Sequence, residues 1–318
     1  MGAPNRGFDI HGVLIVDKPK GLTSGGVVGR LKRWSKAKKV GHTGALDPMA
    51  TGVLPLVFGE ATKFSQYGLD ANKGYLARVQ LGTATDTLDA DGVVVAQKAI
   101  PVIDEIILVS VLNTLMGSLM QVPPMISALK YQGQRLYKLA RKGLEIERAP
   151  RAIQIFSNEL IDFEADEGWL DIRVRCSKGT YIRSLAESIG QSLGTVAHLS
   201  RLRRDLAGGY SLDQASSLQT LESLKDEGTA AFATLLHSTD ALLSHFPRID
   251  LSEHQCMMLI QGQKVSGKGT GVCDIMRAYF AEASFVGLVS VDSDGGIYAK
   301  RMLSPAAAGM RCGSGFGL

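Results

Sequence analysis

The sequence predicts an α+β fold, built on a mixed or antiparallel sheet and followed by a small β-rich module. Three observations carry this. Strand-like and helix-like segments are interspersed without the strict β-α-β alternation of a doubly wound parallel sheet. A chain of 318 residues suits about two domains at roughly 150 residues each. Composition shifts near Pro247, after which residues 249–303 read as a helix and several short strands with glycine turns.

The elements follow in order. "GVLIVDKPKG" (12–21) reads as a short strand over 13–16 that ends in a Pro/Gly turn. Thr23 or Ser24 can cap a helix whose apolar positions are Val27, Val28, Leu31 and Trp34. Residues 41–52, "GHTGALDPMATG", are rich in glycine and proline and aperiodic, which predicts a loop. "VLPLVFG" reads as a buried strand, "EATKFSQYG" as a short helix closed by Gly68, and 73–82 as a strand. "TATDTLDADGVVV" is an Asp/Thr-rich turn leading into another strand.

Residues 103–116 are apolar at helical spacing, and Pro123-Pro124 breaks the chain before a short basic helix at about 135–142. Strands are expected at 153–163 and 169–176, then a turn and a helix stopped by Gly190 and Gly194. "AHLSRLRR" (197–204) reads as a short basic segment, and "TLLHSTDALLSHF" as helical. The expected organisation is a first domain over 1–246 with an insertion at about 124–152, a second over 247–305, and a flexible tail over 306–318.

Hydrophobic content of 45% and charged content of 21% fit a globular protein with a sizeable core. Cys176, Cys256, Cys273 and Cys312 lie far apart with no C-x-x-C pair, which argues against a zinc site or a disulfide framework. Reduced thiols, no apolar leader in "MGAPNRGFDIHG" and no membrane-length apolar run predict a soluble cytoplasmic protein.

Net charge is only +4, but its distribution is uneven. Residues 18–46 hold eight Lys/Arg and no acid, 130–151 hold seven against Glu145 and Glu147, and 173–204 hold seven against Glu187. Such clusters can neutralise RNA or DNA phosphates, or they can be solvated faces. Tyr75, Tyr131, Tyr137 and Tyr181 lie in or beside basic or glycine-flanked segments. There they can stack on unpaired bases or form core edges with satisfied hydroxyls.

Several chemistries are excluded. There is no phosphate loop, no G-x-G-x-x-G, no G-x-S-x-G elbow and no zinc-deaminase signature. His42 is the histidine in a suggestive loop, where it can serve chemistry or simply bond backbone. Asp47 is the first acid after the basic 18–46 stretch. Before Pro48 it can start a turn, or act as a carboxylate nucleophile kept ionised by a nearby guanidinium.

"GHTGALDPMATGVLPL" resembles the signature loop of the TruB family of tRNA pseudouridine synthases. "DKPKGLTS" (17–24), "GEATKFSQY" (59–67), "GYLARVQLGTATDTLDADG" (74–92), "PPMISALKYQGQRLYKLAR" (123–141), "CSKGTYIRSLAESIG" (176–190) and "HLSRLRR" (198–204) agree in order and spacing. The likeness covers most of 12–209, and "DALLSHFPRIDLSE" (240–253) resembles the passage into a PUA-like RNA-binding module.

The resemblance implies conversion of uridine 55 in the tRNA T-loop to pseudouridine. The base flips out, the glycosidic bond breaks, the uracil turns and a C–C bond forms. This isomerisation needs no cofactor, nucleotide or metal. The partner implied is tRNA, with no membrane, no obligatory protein partner and a monomeric enzyme. By the same likeness Asp47 matches the nucleophile, with ribose C1′ and uracil C6 both open to attack. Tyr75 matches the tyrosine packed on the target base, and Arg183 the arginine paired with the catalytic carboxylate.

Tyr181 and Leu202 match residues lining the uridine pocket, and His42 a histidine touching the flipped T-loop. Lys18 and Pro19 match a mainly structural motif. The basic helix with Arg135, Lys138, Arg141 and Lys142 matches an insertion that grips the RNA. Gly25 and Gly26 depart from the pattern, which expects a larger residue there. "GYLARV" is less basic than in some relatives, and the tail resembles nothing familiar. Two other readings use the same surface: a catalytically idle RNA-binding or folding protein, and the catalytic subunit of a guide-RNA complex.

Overall fold

A computed structural model of the chain describes residues 7–267, 271–281 and 283–310. The first half contains β1 (Gly12–Lys18), α1 (Ser24–Trp34), β2 (Val40–His42), β3 (Thr51–Phe58), a 3-10 turn (Gly59–Phe64), α2 (Ser65–Asp70), β4 (Lys73–Leu81), β5 (Thr83–Thr85), β6 (Val94–Gln97), α3 (Glu105–Thr114) and β7 (Gly117–Gln121). There follow β8 (Lys130–Tyr131), β9 (Gln134–Arg135), α4 (Leu136–Ala140), β10 (Arg151–Glu164), β11 (Trp169–Cys176), α5 (Ile182–Ser192) and β12 (Ala197–Ala207).

Short elements lead out of the main sheet: β13 (Tyr210–Ser211), β14 (Ser216–Ser217), α6 (Leu218–Ser223) and α7 (Thr229–Thr234). The C-terminal elements are β15 (Arg248–Asp250), α8 (Glu253–Ile260), β16 (Val265–Ser266), β17 (Cys273–Phe280), β18 (Ser284–Val291) and β19 (Gly296–Met302).

The main sheet runs β14-β1-β3-β12-β4-β11-β10-β7, with β2 on β3 and β13 on β12. The pairs from β12 to β7 are antiparallel, while β12–β3 and β1–β14 are parallel, so the α+β class with a mixed sheet holds. Alternation sets two faces on β1: Leu14 and Val16 enter the main core, and Val13 and Ile15 enter a smaller one. The main core also takes Val27 and Leu31 of α1, Leu112 of α3 and Leu185 and Ile189 of α5.

The second sheet, β15-β17-β18-β19-β16, packs its own core around Val286, Leu288 and Val289. It docks on the segment after β3. Phe64 stacks edge-on to Phe285 at 5.4 Å, Lys63 Nζ donates to the Met302 carbonyl at 3.0 Å, and the Ser304 N–H donates to Glu60 at 2.9 Å.

Several local expectations change. "AHLSRLRR" belongs to a strand, β12, which occupies the middle of the main sheet. The 41–52 loop is narrower, because Val40–His42 pairs with β3 and Thr51 and Gly52 begin β3. The expected basic helix shrinks to Leu136–Ala140, with Arg135 in a two-residue strand. The "TLLHSTDALLSHF" segment is only briefly helical, because His237 exchanges backbone bonds with Val13 and breaks it. α2 continues past Gly68, whose missing side chain makes room for Thr43.

α5 likewise passes through Gly190, where a Cβ would lie 2.6 Å from that of Ala197, and ends before Gly194 at φ +77°. The segment expected to fray starts out packed, with Ala308 and Met310 in the second core; residues 311–318, including Cys312, lie outside the described residues.

Candidate active site

Residues 43–50 join β2 to β3, carry Asp47 and are held from three sides. The Ser24 hydroxyl accepts from the Leu46 N–H at 2.8 Å and donates to the Leu46 carbonyl at 3.2 Å. Thr23, not Ser24, caps α1, accepting from the Gly26 N–H at 3.0 Å, so the two neighbouring hydroxyls divide the work. The fully buried Lys18 ammonium donates to the carbonyls of Pro19 (2.9 Å), Leu22 (2.6 Å) and Pro48 (3.4 Å). The Gly21 N–H also reaches Pro48 O, at 2.7 Å.

The third hold is Arg204 of β12, 1% exposed. Its guanidinium donates to Val53 O at 2.7 Å, Gly44 O at 3.2 Å and Ala45 O at 3.4 Å. β3 and β12 pair only at Thr51–Arg203 and Gly52–Arg204. There Gly52, at φ +105°, lies so close that a Cβ would sit 2.1 Å from the Arg204 carbonyl oxygen.

Arg183 lies in the first turn of α5, whose buried Ile182, Leu185, Ala186 and Ile189 seat the helix on the sheet. Its side chain is 4% exposed, and its Nη2 lies 3.0 Å from Asp47 Oδ2. Nη2 also donates to Ile126 O at 2.9 Å, and Nη1 donates to Thr87 O at 3.0 Å and lies 3.5 Å from Asp89 Oδ2. The guanidinium is thus fixed on several sides, while the Asp47 side chain keeps 43% of its surface exposed.

Asp47 and Arg183 line a cavity of about 310 Å³ with Tyr75, Tyr181, Leu202 and Arg204. Tyr75 enters from β4, where its register partners are Val174 and Arg204, and Leu202 enters from the inward position two residues before Arg204 on β12. Tyr181 stands immediately before α5.

Residues 32–182 match the N-terminal domain of the TruB family pseudouridylate synthases, and 247–303 match the C-terminal domain of pseudouridine synthase II TruB. The chain is 46% identical over 296 residues to tRNA pseudouridine synthase B of Stutzerimonas stutzeri, covering 93% of this chain and 96% of the relative. The protein of the same name from Aromatoleum aromaticum is 47% identical over 298 residues, with 94% of each chain covered. The chain belongs to the TruB family. Pseudouridine synthases are isomerases, so it is an enzyme of that class.

Its architecture is shared by the solved Cbf5-Nop10-Gar1 complex, with a TM-score of 0.72 at 24% identity over 94% of this chain and 87% of that one. The H/ACA RNP bound to a substrate RNA containing 2′-deoxyuridine gives 0.71 at 22% identity, over 96% and 92%. At that identity the likeness concerns the fold.

In this TruB-family site, burial pushes the Asp47 carboxyl above the ordinary aspartate value of 3.8. Arg183 and Lys18 oppose that shift and Asp89 adds to it. Burial also drives the Lys18 and Lys73 ammonium groups down to about 8, with Arg204 repelling both. The Tyr75 and Tyr181 phenols are raised, again by burial first, and so stay neutral.

The sequence-predicted residues divide. Asp47, Tyr75, Arg183, Tyr181 and Leu202 share one cavity. His42 lies outside its lining, on β2, where its Nδ1 accepts from the Gly44 N–H at 3.3 Å. Burial lowers its pKa, and the charges of Arg204 and Arg135 lower it further. Arg135, Lys138, Arg141 and Lys142 are exposed on the insertion, away from the cavity lining.

Sequence reasoning missed Asp89, Lys73 and Arg204. Asp89 lay in the Asp/Thr-rich stretch, where its Oδ1 accepts from the Thr87 hydroxyl at 2.6 Å. Lys73 lines the cavity and donates to the Leu69 and Ala71 carbonyls, each at 2.6 Å, closing the end of α2. Among the described residues no group of three or more His, Cys, Asp or Glu is arranged to hold a metal ion, and no helix is long and apolar enough to cross a membrane.

Proposed function

We propose that this chain is a stand-alone, cytoplasmic tRNA pseudouridine synthase that isomerises uridine 55 of the T-loop, with Asp47 as nucleophile. The observation that carries the reading is the Asp47–Arg183 pair, 3.0 Å apart, in a cavity that Tyr75, Tyr181 and Leu202 also line. The relatives' name, tRNA pseudouridine synthase B, supports tRNA as substrate. Residues 1–246 act as the catalytic unit, 124–152 as its RNA-gripping insertion, 247–305 as a PUA-like RNA-binding module, and 306–318 as the tail. The second sheet packs its own core, which Phe64 and Leu243 of the first unit also enter, and its strands pair only among themselves, which supports that division.

The uridine must leave the loop stack to reach Asp47, at a cost of a few kcal/mol. Tyr75 takes over stacking that the base loses, and Tyr181 and Leu202 close on its other edges. The ionised Asp47 attacks the nucleoside, and Arg183 holds the carboxylate in line. The N1–C1′ bond breaks and the C5–C1′ bond forms. The proton lost from C5 is balanced by one gained at N1, so atoms and electrons close without a cofactor. His42 and the exposed Arg135, Lys138, Arg141 and Lys142 contact the RNA outside the cavity.

The test is to treat a T-stem-loop transcript with purified chain alone and map pseudouridine. Asp47→Asn should abolish the product and leave RNA binding intact. Pseudouridine from that variant would remove Asp47 from the chemistry. A requirement for added guide RNA and partner proteins would refute the stand-alone reading. Changing Lys138, Arg141 and Lys142 together to Ala should flatten the salt dependence of binding.

A further inference from the structure

We propose that Gln121 is a positioning residue that sets Tyr181 and Arg183 for the chemistry and fastens them to the root of the 124–152 insertion. This rests on the reading of Asp47 and Arg183 given above. Gln121 is the last residue of β7, an edge strand whose sheet partner is β10. Its side chain meets the backbone of Tyr181. The Tyr181 N–H donates to Gln121 Oε1 at 2.8 Å, and Gln121 Nε2 donates to the Tyr181 carbonyl at 3.0 Å. A primary amide can satisfy both backbone groups at once. A hydrocarbon can satisfy neither, and a carboxylate only the N–H.

Tyr181 is where α5 begins, and no side chain caps that end. Its carbonyl also accepts the first intrahelical bond, from the Leu185 N–H at 3.1 Å. Fixing this one residue therefore fixes the direction in which α5 leaves and the placement of Arg183, two residues on. Further stitches bind the same two segments. Ser184 Oγ donates to Val122 O at 3.2 Å, and Arg183 Nη2 donates to Ile126 O at 2.9 Å. Between those carbonyls lie Pro123 and Pro124, both buried, whose rings lock φ. Residues 121–126 thus form a stiff strap across the start of α5, and the chain runs from it directly into β8, β9 and α4. The strap links RNA on the insertion to the cavity: a pull on the insertion reaches Ile126 along the chain, and Arg183 through its hydrogen bond to the Ile126 carbonyl.

The experiment uses the full chain and a T-stem-loop RNA, with single-turnover rates, filter-binding affinities and melting temperatures for wild type, Gln121→Met and Gln121→Glu. Gln121→Met keeps the side-chain length and removes both bonds. Gln121→Glu keeps the acceptor, guards against a failure of the first variant to fold, and sets an anion against the Tyr181 carbonyl. Displacing catalytic groups by about 1 Å costs on the order of 100-fold, so both variants should slow the chemical step by about 10- to 100-fold. Affinity should stay within about two-fold of wild type, since no RNA contact is removed. A normal rate in both variants would overturn the proposal. So would a parallel loss of rate, affinity and melting temperature, the signature of a purely structural residue. A wild-type chain that forms no pseudouridine would instead overturn the functional reading, and this inference with it.

Discussion

Arg204 is the residue on which the placement of the Asp47 loop depends most, and Arg204→Met is the perturbation that shows it. The substitution preserves an apolar stem and removes every donor. Three carbonyls, those of Val53, Gly44 and Ala45, lose their partner. A buried acceptor left unpaired costs about 1–3 kcal/mol. The Val53 bond, at 2.7 Å and buried, falls at the upper end of that range, while the Gly44 and Ala45 carbonyls line the cavity, are only partly buried and add about 0.5 kcal/mol each. The gross loss is about 3–4 kcal/mol.

Against it stands the desolvation of a guanidinium that is 1% exposed, together with its repulsion of Lys18 and Lys73, all of which the variant recovers. The net destabilisation is then about 2 kcal/mol, a drop of roughly 4–8 °C in Tm for a unit of this size. Catalysis should suffer more than stability. Gly44 and Ala45 lie just before Asp47, and releasing them lets the carboxylate drift from its line of attack. A loss of about 100-fold in single-turnover rate, or about 2.7 kcal/mol of barrier, is expected. Arg204→Lys should share most of the rate loss, because one ammonium cannot span the carbonyls that the planar fork reaches. Melting curves and rapid-quench assays on a T-stem-loop decide the matter. A wild-type rate in Arg204→Met, whatever its Tm, would refute the reasoning and make Arg204 a core staple.

Other outcomes follow from the same geometry. Asp47 must be ionised to attack and its pKa is raised, so the rate should fall in acid with a midpoint above 3.8; Arg183→Met removes an opposing cation and should move that midpoint higher, as a pH series of single-turnover rates would show. Gly52→Ala drives a Cβ into the Arg204 backbone at positive φ and should cost about 3–5 kcal/mol, read by chemical denaturation. Gly44→Ala is strained by φ +136° but meets nothing closer than 3.6 Å, so its cost should stay at about 1–3 kcal/mol.

What the sequence could and could not announce follows from the periodicity of its elements. β11 was legible because Leu170, Ile172 and Val174 alternate cleanly inward. β12 was not, although it occupies the middle of the sheet. A register shift between Leu199 and Arg201 sets its inward apolar residues, Leu199 and Leu202, three positions apart, which breaks the two-residue period. Its next inward residue is Arg204, a side chain that reads as solvent-facing until its three carbonyl partners are seen. Asp89 was hidden for a different reason: its charge partner, Arg183, arrives from a remote helix. The Asp47 loop was legible as a motif and ambiguous as chemistry, because both a turn and a nucleophile fit Asp-Pro.

The basic run before Asp47 is not one uniform RNA-facing surface. Lys18, the first of its cations, is not an RNA contact. It is fully buried and spends its donors on loop carbonyls, including that of Pro48, beside the carboxylate it also attracts. The site therefore balances opposing demands on one group. Burial favours the neutral acid, Arg183 and Lys18 favour the anion, and Asp89 takes up part of the Arg183 charge. A carboxylate paired only with cations would be fully ionised but held too tightly to attack. A carboxylate merely buried would be protonated and inert. Arg183 and Lys18 pull against the upward push of burial and of Asp89, and Asp47 keeps one exposed edge toward the cavity, from which its anion can act as a nucleophile.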